Sequence, residues 1–192
     1  TNIKRVDTET AAPIETITRE DIQASGLQTI SEVVRQITAN NSGTVSPSFT
    51  NGFSVSGSAV SLRGLGSNNT LVLLNGRRLA NFGLADDGRA SYVDLQQIPF
   101  DAVERIEVLK DGASAIYGSD AIAGVVNITT RDVYEGAEAT AYLGGNGEGD
   151  GRTQAYDFTL GSTTDRANIV INASYLKQEP IFAGDREISQ VP

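Results

Sequence analysis

Residues 98–131 read IPFDAVERIEVLKDGASAIYGSDAIAGVVNITTR, and this stretch decides the fold. IPFDAV and GASAIYGSDAIAG carry small and helix-compatible residues, whereas ERIEVLK and GVVNITTR are rich in β-branched and other apolar residues. The expected order is therefore helix, strand, helix, strand. Asp111-Gly112, Gly118 and Gly124 punctuate it as turns. Two strands joined by a short helical connection predict a small α+β sheet domain that ends near Arg131.

Upstream, TLVLLNGRRLA at 70–80 is an apolar run followed by Asn75-Gly76, the dipeptide best suited to a two-residue hairpin turn because both positions tolerate positive φ. The return strand begins Arg77-Arg78, so this hairpin needs water, phosphate or carboxylates on its far side. Before it lie a predicted strand near Ala59–Arg63 and the loop GLGSNN. Residues 39–57 are rich in Asn, Ser, Gly and Thr and predict a long irregular loop. Further upstream, Pro13–Ile17 predicts a short strand, and Thr18 then offers a hydroxyl N-cap with Glu20 and Asp21 in the first turn. Gly26 ends that helix. Thr29-Ile30-Ser31-Glu32 is a second helix start of the capping-box type, and Ile30, Val33, Val34 and Ile37 follow at helical spacing.

Downstream of Val133 the pattern becomes strict alternation. Ala137, Ala139, Ala141 and Leu143 share one face, as do Tyr156, Phe158 and Leu160, and then Ile169, Ile171, Ala173 and Tyr175. GGNGEGDGR and STTDR connect the runs, which predicts an antiparallel meander with one apolar and one polar face. Three strands with two free edges form an incomplete object, so pairing of edges into a dimer is expected of the chain in isolation.

Composition narrows the chemistry. The 192 residues carry a formal net charge of −9, which argues against nucleic acid as partner. Cys, His, Met and Trp are absent, which removes Cys/His metal sites, thiol nucleophiles and histidine-based triads. No apolar run approaches the roughly 18 residues of a spanning helix, so any membrane contact must be made by β structure. The start TNIKRVD reads as that of a mature or excised segment. Ser114 and Ser119 have no histidine to activate them, and GLGSNN completes neither dinucleotide- nor phosphate-loop spacing. GGNGEGDGR lacks calcium-loop spacing. Asp86 and Asp87 are adjacent in a loop, a poor geometry for a glycosidase pair. No catalytic residue, metal ligand or cofactor is expected.

PIETITREDIQASGLQTISEVVRQITANNSG, VSLRGLGSNNTLVLLNGRRL and, above all, the stretch at 98–131 together resemble the plug domain of TonB-dependent outer-membrane receptors. The resemblance implies a linker at 1–12, a plug at 13–133 with mixed sheet and short helices, and at 134–192 the first strands of an incomplete outer-membrane β-barrel. It departs from the family at Asp111-Gly112, where many relatives have Gly-Pro. It further implies a gate for a scarce nutrient such as an iron-siderophore chelate, cobalamin or a saccharide, in a Gram-negative outer membrane.

By position, Arg63 and Arg105 would meet glutamates of the remaining barrel, with Glu104 and Glu107 as local partners, and both arginines would be less well satisfied here than in an intact receptor. Ser67, Asn68, Asn69, Phe82, Asp86 and Asp87 would lie in loops that meet the extracellular small-molecule ligand, joined by the loop at 44–54. TonB would engage a segment upstream of Asp7-Thr8-Glu9-Thr10. As a fragment, the chain would not transport alone. The competing expectation is a self-contained soluble periplasmic or secreted binding module of plug-like fold.

Overall fold

The structure is a computed structural model and describes residues 14–40, 42, 44–47, 56–182, 184 and 186. The expected linker at 1–12 and most of the loop at 44–54 lie outside the described residues. Two compact units result, one ending at Arg131 and one beginning at Asp132.

The first unit is α+β. Its strands are β1 (Ile14–Thr18), β2 (Thr70–Leu74), β3 (Arg77–Arg78), β4 (Val103–Leu109) and β5 (Gly124–Thr130), arranged in the order β1-β4-β5-β2-β3. β5 pairs antiparallel with β4 but parallel with β2, so the sheet is mixed. Helix α1 (Arg19–Ser25) starts at Thr18, whose hydroxyl accepts from the Asp21 amide while the Asp21 carboxylate accepts from the Thr18 amide. Helix α2 (Ile30–Arg35) repeats this reciprocal cap with Thr29 and Glu32. Each cap satisfies two backbone donors that the first turn leaves open.

Period-two alternation assigns the sheet's two faces. Val72, Ile106, Val108, Val126 and Ile128 pack with Ile22, Ile30, Val33, Val34 and Ile37 of the helical layer. Leu71, Leu73 and Val125 point the other way, onto Ala113, Ala121 and Tyr117 near α3 (Ser114–Tyr117). A sheet apolar on both faces must be covered on both, and short helical pieces do so.

Two sequence expectations are corrected. Ala59–Arg63 is not a strand. Ser58, Ala59, Val60 and Ser61 are fully buried, yet their donors go to loop and side-chain acceptors: Ser58 N–H to Asp94 Oδ1, Ala59 N–H to the Val45 carbonyl and Ser61 N–H to Asn40 Oδ1. The β-rich composition reflects burial, which the strand expectation took for a ladder; the backbone partners come from Asp94, Asn40 and Val45 rather than a neighbouring strand. IPFDAV is likewise no α-helix. The chain makes 3₁₀ turns at Leu95–Gln97 and Phe100–Ala102, separated by Pro99, which has no N–H to carry a helix through.

In the second unit, β6 (Gly136–Gly144), β7 (Thr153–Thr163) and β8 (Asn168–Gln178) form an antiparallel sheet in chain order. Ala137 faces Leu160, which faces Ile171; Ala139 faces Phe158, which faces Ala173; Ala141 faces Tyr156, which faces Tyr175. The predicted apolar face is therefore continuous across three strands. It is also exposed, with Leu143 at 72% and Ile169 at 60%.

Candidate functional site

The Asn75-Gly76 turn organises the far end of the first unit. Both residues are left-handed, at φ +51° and +75°. Four bonds fix the turn to β5: Asn75 N–H to the Ile128 carbonyl, Thr130 N–H to Asn75 Oδ1, Asn75 Nδ2 to Thr130 Oγ1, and Gly76 N–H to Asn127 Oδ1 at 2.9 Å. The turn delivers Arg78 to a carboxylate of this same unit. Its guanidinium grips Asp120 through both oxygens and donates to the Tyr117 carbonyl. Hydrogen bonding to Arg78 holds the Asp120 carboxyl below the usual carboxylate range against the opposing pull of burial, and Asp120 in turn raises the Arg78 guanidinium. Of the three kinds of surroundings open to the hairpin, Arg78 meets a carboxylate, in the connection between β4 and β5, a partner that proximity in sequence could not reveal.

Asp120 also lines a cleft with Ser67, Asn68, Asn81, Ser91 and Tyr92, whereas Asn69, Phe82, Asp86 and Asp87 do not line it. The cleft measures about 50 Å³, whereas small-molecule pockets run to roughly 300 Å³ or more. It is a polar surface with room for a few waters, not a closed pocket. The individual loop residues divide. Asn68 and Asp87 are exposed, whereas Ser67 is buried. Asn69 donates to the Leu65 carbonyl. Phe82 packs its ring 5.6 Å from that of Tyr92 within a small cluster containing Val45 and Ala59. Asp86 pairs with Ala90 across a tight turn whose central residues, Asp87 and Gly88, are both left-handed. That turn carries the same Asp-Gly signal as a hairpin, and the sequence reading passed over it.

Arg63 and Arg105 sit in different surroundings. Arg63 adopts φ +55° and donates to two carbonyls, Ile122 at 2.8 Å and Ala123 at 3.2 Å. Arg105 pairs through Nε with Glu107 at 2.9 Å, its side chain 40% exposed against 9% for Glu107. Among the described residues, neither arginine is held bidentate by a carboxylate. Glu104 is exposed. Behind Glu107 the polar chain continues, since Asn127 Nδ2 donates to Glu107 Oε2 at 2.8 Å.

The glycine positions serve close approach as well as turning. Gly124, at φ +135°, passes the Leu109 carbonyl so closely that a Cβ would lie 2.3 Å from its oxygen. Gly118 is at φ +96° and follows α3. Gly112 donates to Asp111 Oδ1 and passes the Ile122 carbonyl.

Sequence reasoning missed one buried cluster. Asp101 receives Arg19 and Arg131, all three side chains at most 12% exposed. It ties the start of α1 to the residues entering β4 and leaving β5. Its members lie far apart in sequence, and no local signal marks them. Among the described residues, no group of three or more acidic side chains is placed to hold a metal, and no helix is long and apolar enough to cross a membrane.

Comparison with known proteins bears on this geometry. The family model described as TonB-dependent Receptor Plug Domain matches residues 6–125. The vitamin B12 transporter BtuB of Photobacterium profundum is 36% identical over 140 residues, which make up 73% of this chain and 21% of that protein. Among solved structures, the siderophore receptor PirA of Pseudomonas aeruginosa is 26% identical with a TM-score of 0.59, covering 90% of this chain and 30% of its own. PirA of Acinetobacter baumannii reaches a TM-score of 0.67 at 24% identity, covering 92% of this chain and 26% of its own, a likeness of fold. The chain thus spans between a fifth and a third of the length of these relatives. The match runs through the capped helices, the Asn75-Gly76 hairpin and the start of β5, and the chain belongs to the TonB-dependent receptor plug domain family.

Proposed function

We propose that the first unit is the gate of a TonB-dependent active-transport receptor in a Gram-negative outer membrane, and that β6–β8 are the opening strands of its barrel. The observation that carries this reading is the second unit's exposed apolar face. Its strands are 9, 11 and 11 residues long, and a tilted spanning strand needs roughly 9–11. A soluble module of plug-like fold would have to cover that face instead. The whole protein would take up a scarce nutrient, with iron-siderophore chelates, cobalamin and saccharides as the candidate classes, and would perform no catalysis.

Within that reading, Arg63 and Arg105 contact carboxylates of the remaining barrel, with Glu104 and Glu107 beside them. The exposed Asn68 and Asp87, with Ser67, Asn69, Phe82 and Asp86 behind them, form part of the ligand-facing surface. TonB engages a segment upstream of the plug. The domain limits follow as plug at 13–133 and barrel strands from 134.

The test is uptake by cells expressing the whole receptor, using radiolabelled cobalamin, ferric siderophores and oligosaccharides, with and without the energy-transducing partner. Energy-dependent uptake of one ligand, replaced by a passive leak when residues 14–131 are deleted, is the expected result. Absence of energy-dependent uptake for every class, with the protein recovered in soluble fractions, overturns it in favour of the soluble module.

A further inference from the structure

The polar chain behind Arg105 crosses the sheet without a break. Arg105 Nε donates to Glu107 Oε1 at 2.9 Å, Asn127 Nδ2 donates to Glu107 Oε2 at 2.8 Å, and Gly76 N–H donates to Asn127 Oδ1 at 2.9 Å. Its outer end is accessible and its interior is not: the Arg105 side chain is 40% exposed, Glu107 9% and Asn127 0%. The inner end is the left-handed Asn75-Gly76 turn, and two residues beyond it Arg78 grips Asp120 at the cleft. Asn127 Nδ2 also reaches Thr129 Oγ1, at a longer 3.5 Å, so Glu107 is its shorter acceptor. Glu107 has only acceptors, the Asn127 amide therefore presents its NH₂ to Glu107, and this leaves Oδ1 for Gly76.

We propose that Glu107 and Asn127 are positioning residues that tie the Asn75-Gly76 turn to the location of the Arg105 guanidinium. When Arg105 moves to a carboxylate outside this unit, Glu107 loses its countercharge in a place where an unpaired carboxylate is strongly disfavoured. It turns towards water, the Asn127 amide follows it, and the Gly76 N–H is released. The outer arginine and the hairpin at the cleft are then two ends of one device. Only the trigger rests on the reading that Arg105 meets an outside carboxylate. The device itself is a property of this unit, so it stands or falls independently of the uptake experiment.

The test is residue-resolved amide exchange on the full chain. Arg105 is half-exposed, so its variants leave the core intact. In Arg105→Ala the Gly76 amide exchanges at least about tenfold faster, while Ile106 and Val126 at the sheet centre keep their rates. Arg105→Lys, which restores a cation for Glu107, returns Gly76 most of the way to the parent rate. In an Asn127→Ala background Gly76 is already fast, and Arg105→Ala adds less than about twofold. An unchanged Gly76 rate in Arg105→Ala overturns the proposal. So does equal acceleration of Ile106 and Val126, which would mean general loosening, and so does a lysine variant that behaves like alanine.

Discussion

Gly124 joins two constraints at one Cα: a backbone angle of +135°, which side-chain-bearing residues avoid, and a carbonyl at Leu109 where a methyl would have to sit. The oxygen belongs to β4, the strand that pairs with β5, so it cannot move without breaking the ladder. Gly124→Ala is expected to lower stability by about 3 kcal/mol, read as a shift in the urea midpoint with unchanged slope. Arg78 and Asp120 form the opposite kind of residue pair, exposed and electrostatic, at 50% and 40% side-chain exposure. Because the folded state depresses the Asp120 carboxyl, the pair's contribution is present above the unfolded-state value and lost as pH falls through the folded one. Asp120→Asn should therefore cost less than about 1 kcal/mol at neutral pH, with the gap closing below about pH 4. Thermal unfolding of parent and variant across that range checks it. At this scale the sequence was legible where one residue's own backbone decides, as at Asn75 and Gly76, whereas Gly124, expected as a turn, opens β5 and is glycine because of the Leu109 carbonyl. The sequence was silent where a partner decides: nothing near Arg78 points to Asp120, and nothing near Asp101 points to Arg19 and Arg131.

Elements were legible to the extent that their signals are local. Thr18 and Thr29 each carry the full reciprocal cap within four residues, and α1 and α2 start where the sequence places them. Thr29→Ala removes the hydroxyl acceptor of the Glu32 amide and should destabilise the first unit by about 1 kcal/mol, while Thr29→Ser or Asp should restore it. Denaturant titration followed by far-ultraviolet circular dichroism distinguishes these outcomes. The segment at 58–61 misled because composition reports burial, and burial was satisfied without a ladder, through Asp94 and Asn40. The parallel pairing of β2 with β5 was equally invisible, since alternation identifies a strand's faces but not its neighbour. The hairpin turn fixed one edge of β2, and only the tertiary fold supplied the other.

For the whole molecule, the two units pose different solvent problems. The first covers both faces of its sheet with its own helices and turns. The second exposes a face on which Phe158, Leu160, Ile169 and Ile171 are each at least 44% accessible, bordered at one level by the stacked rings of Tyr156 and Tyr175. Tyrosine is favoured where an apolar layer meets water, so the pair at the loop end of β7 and the chain end of β8 suits the border of a hydrocarbon layer. If that face is built for lipid, detergent micelles should increase amide protection across 136–144, 153–163 and 168–178 and leave 14–18 and 103–109 unchanged. Phe158→Lys puts a charge in the middle of the apolar face, at a cost of roughly 2–4 kcal/mol near a bilayer midplane, and should abolish the micelle effect without loosening the first unit. The experiment compares exchange in buffer and in micelles for parent and variant. Protection of β6–β8 that is already full in buffer, and indifferent to both micelles and Phe158→Lys, would mean that protein rather than lipid covers this face, and would transfer the chain from an outer-membrane receptor to a self-contained soluble module.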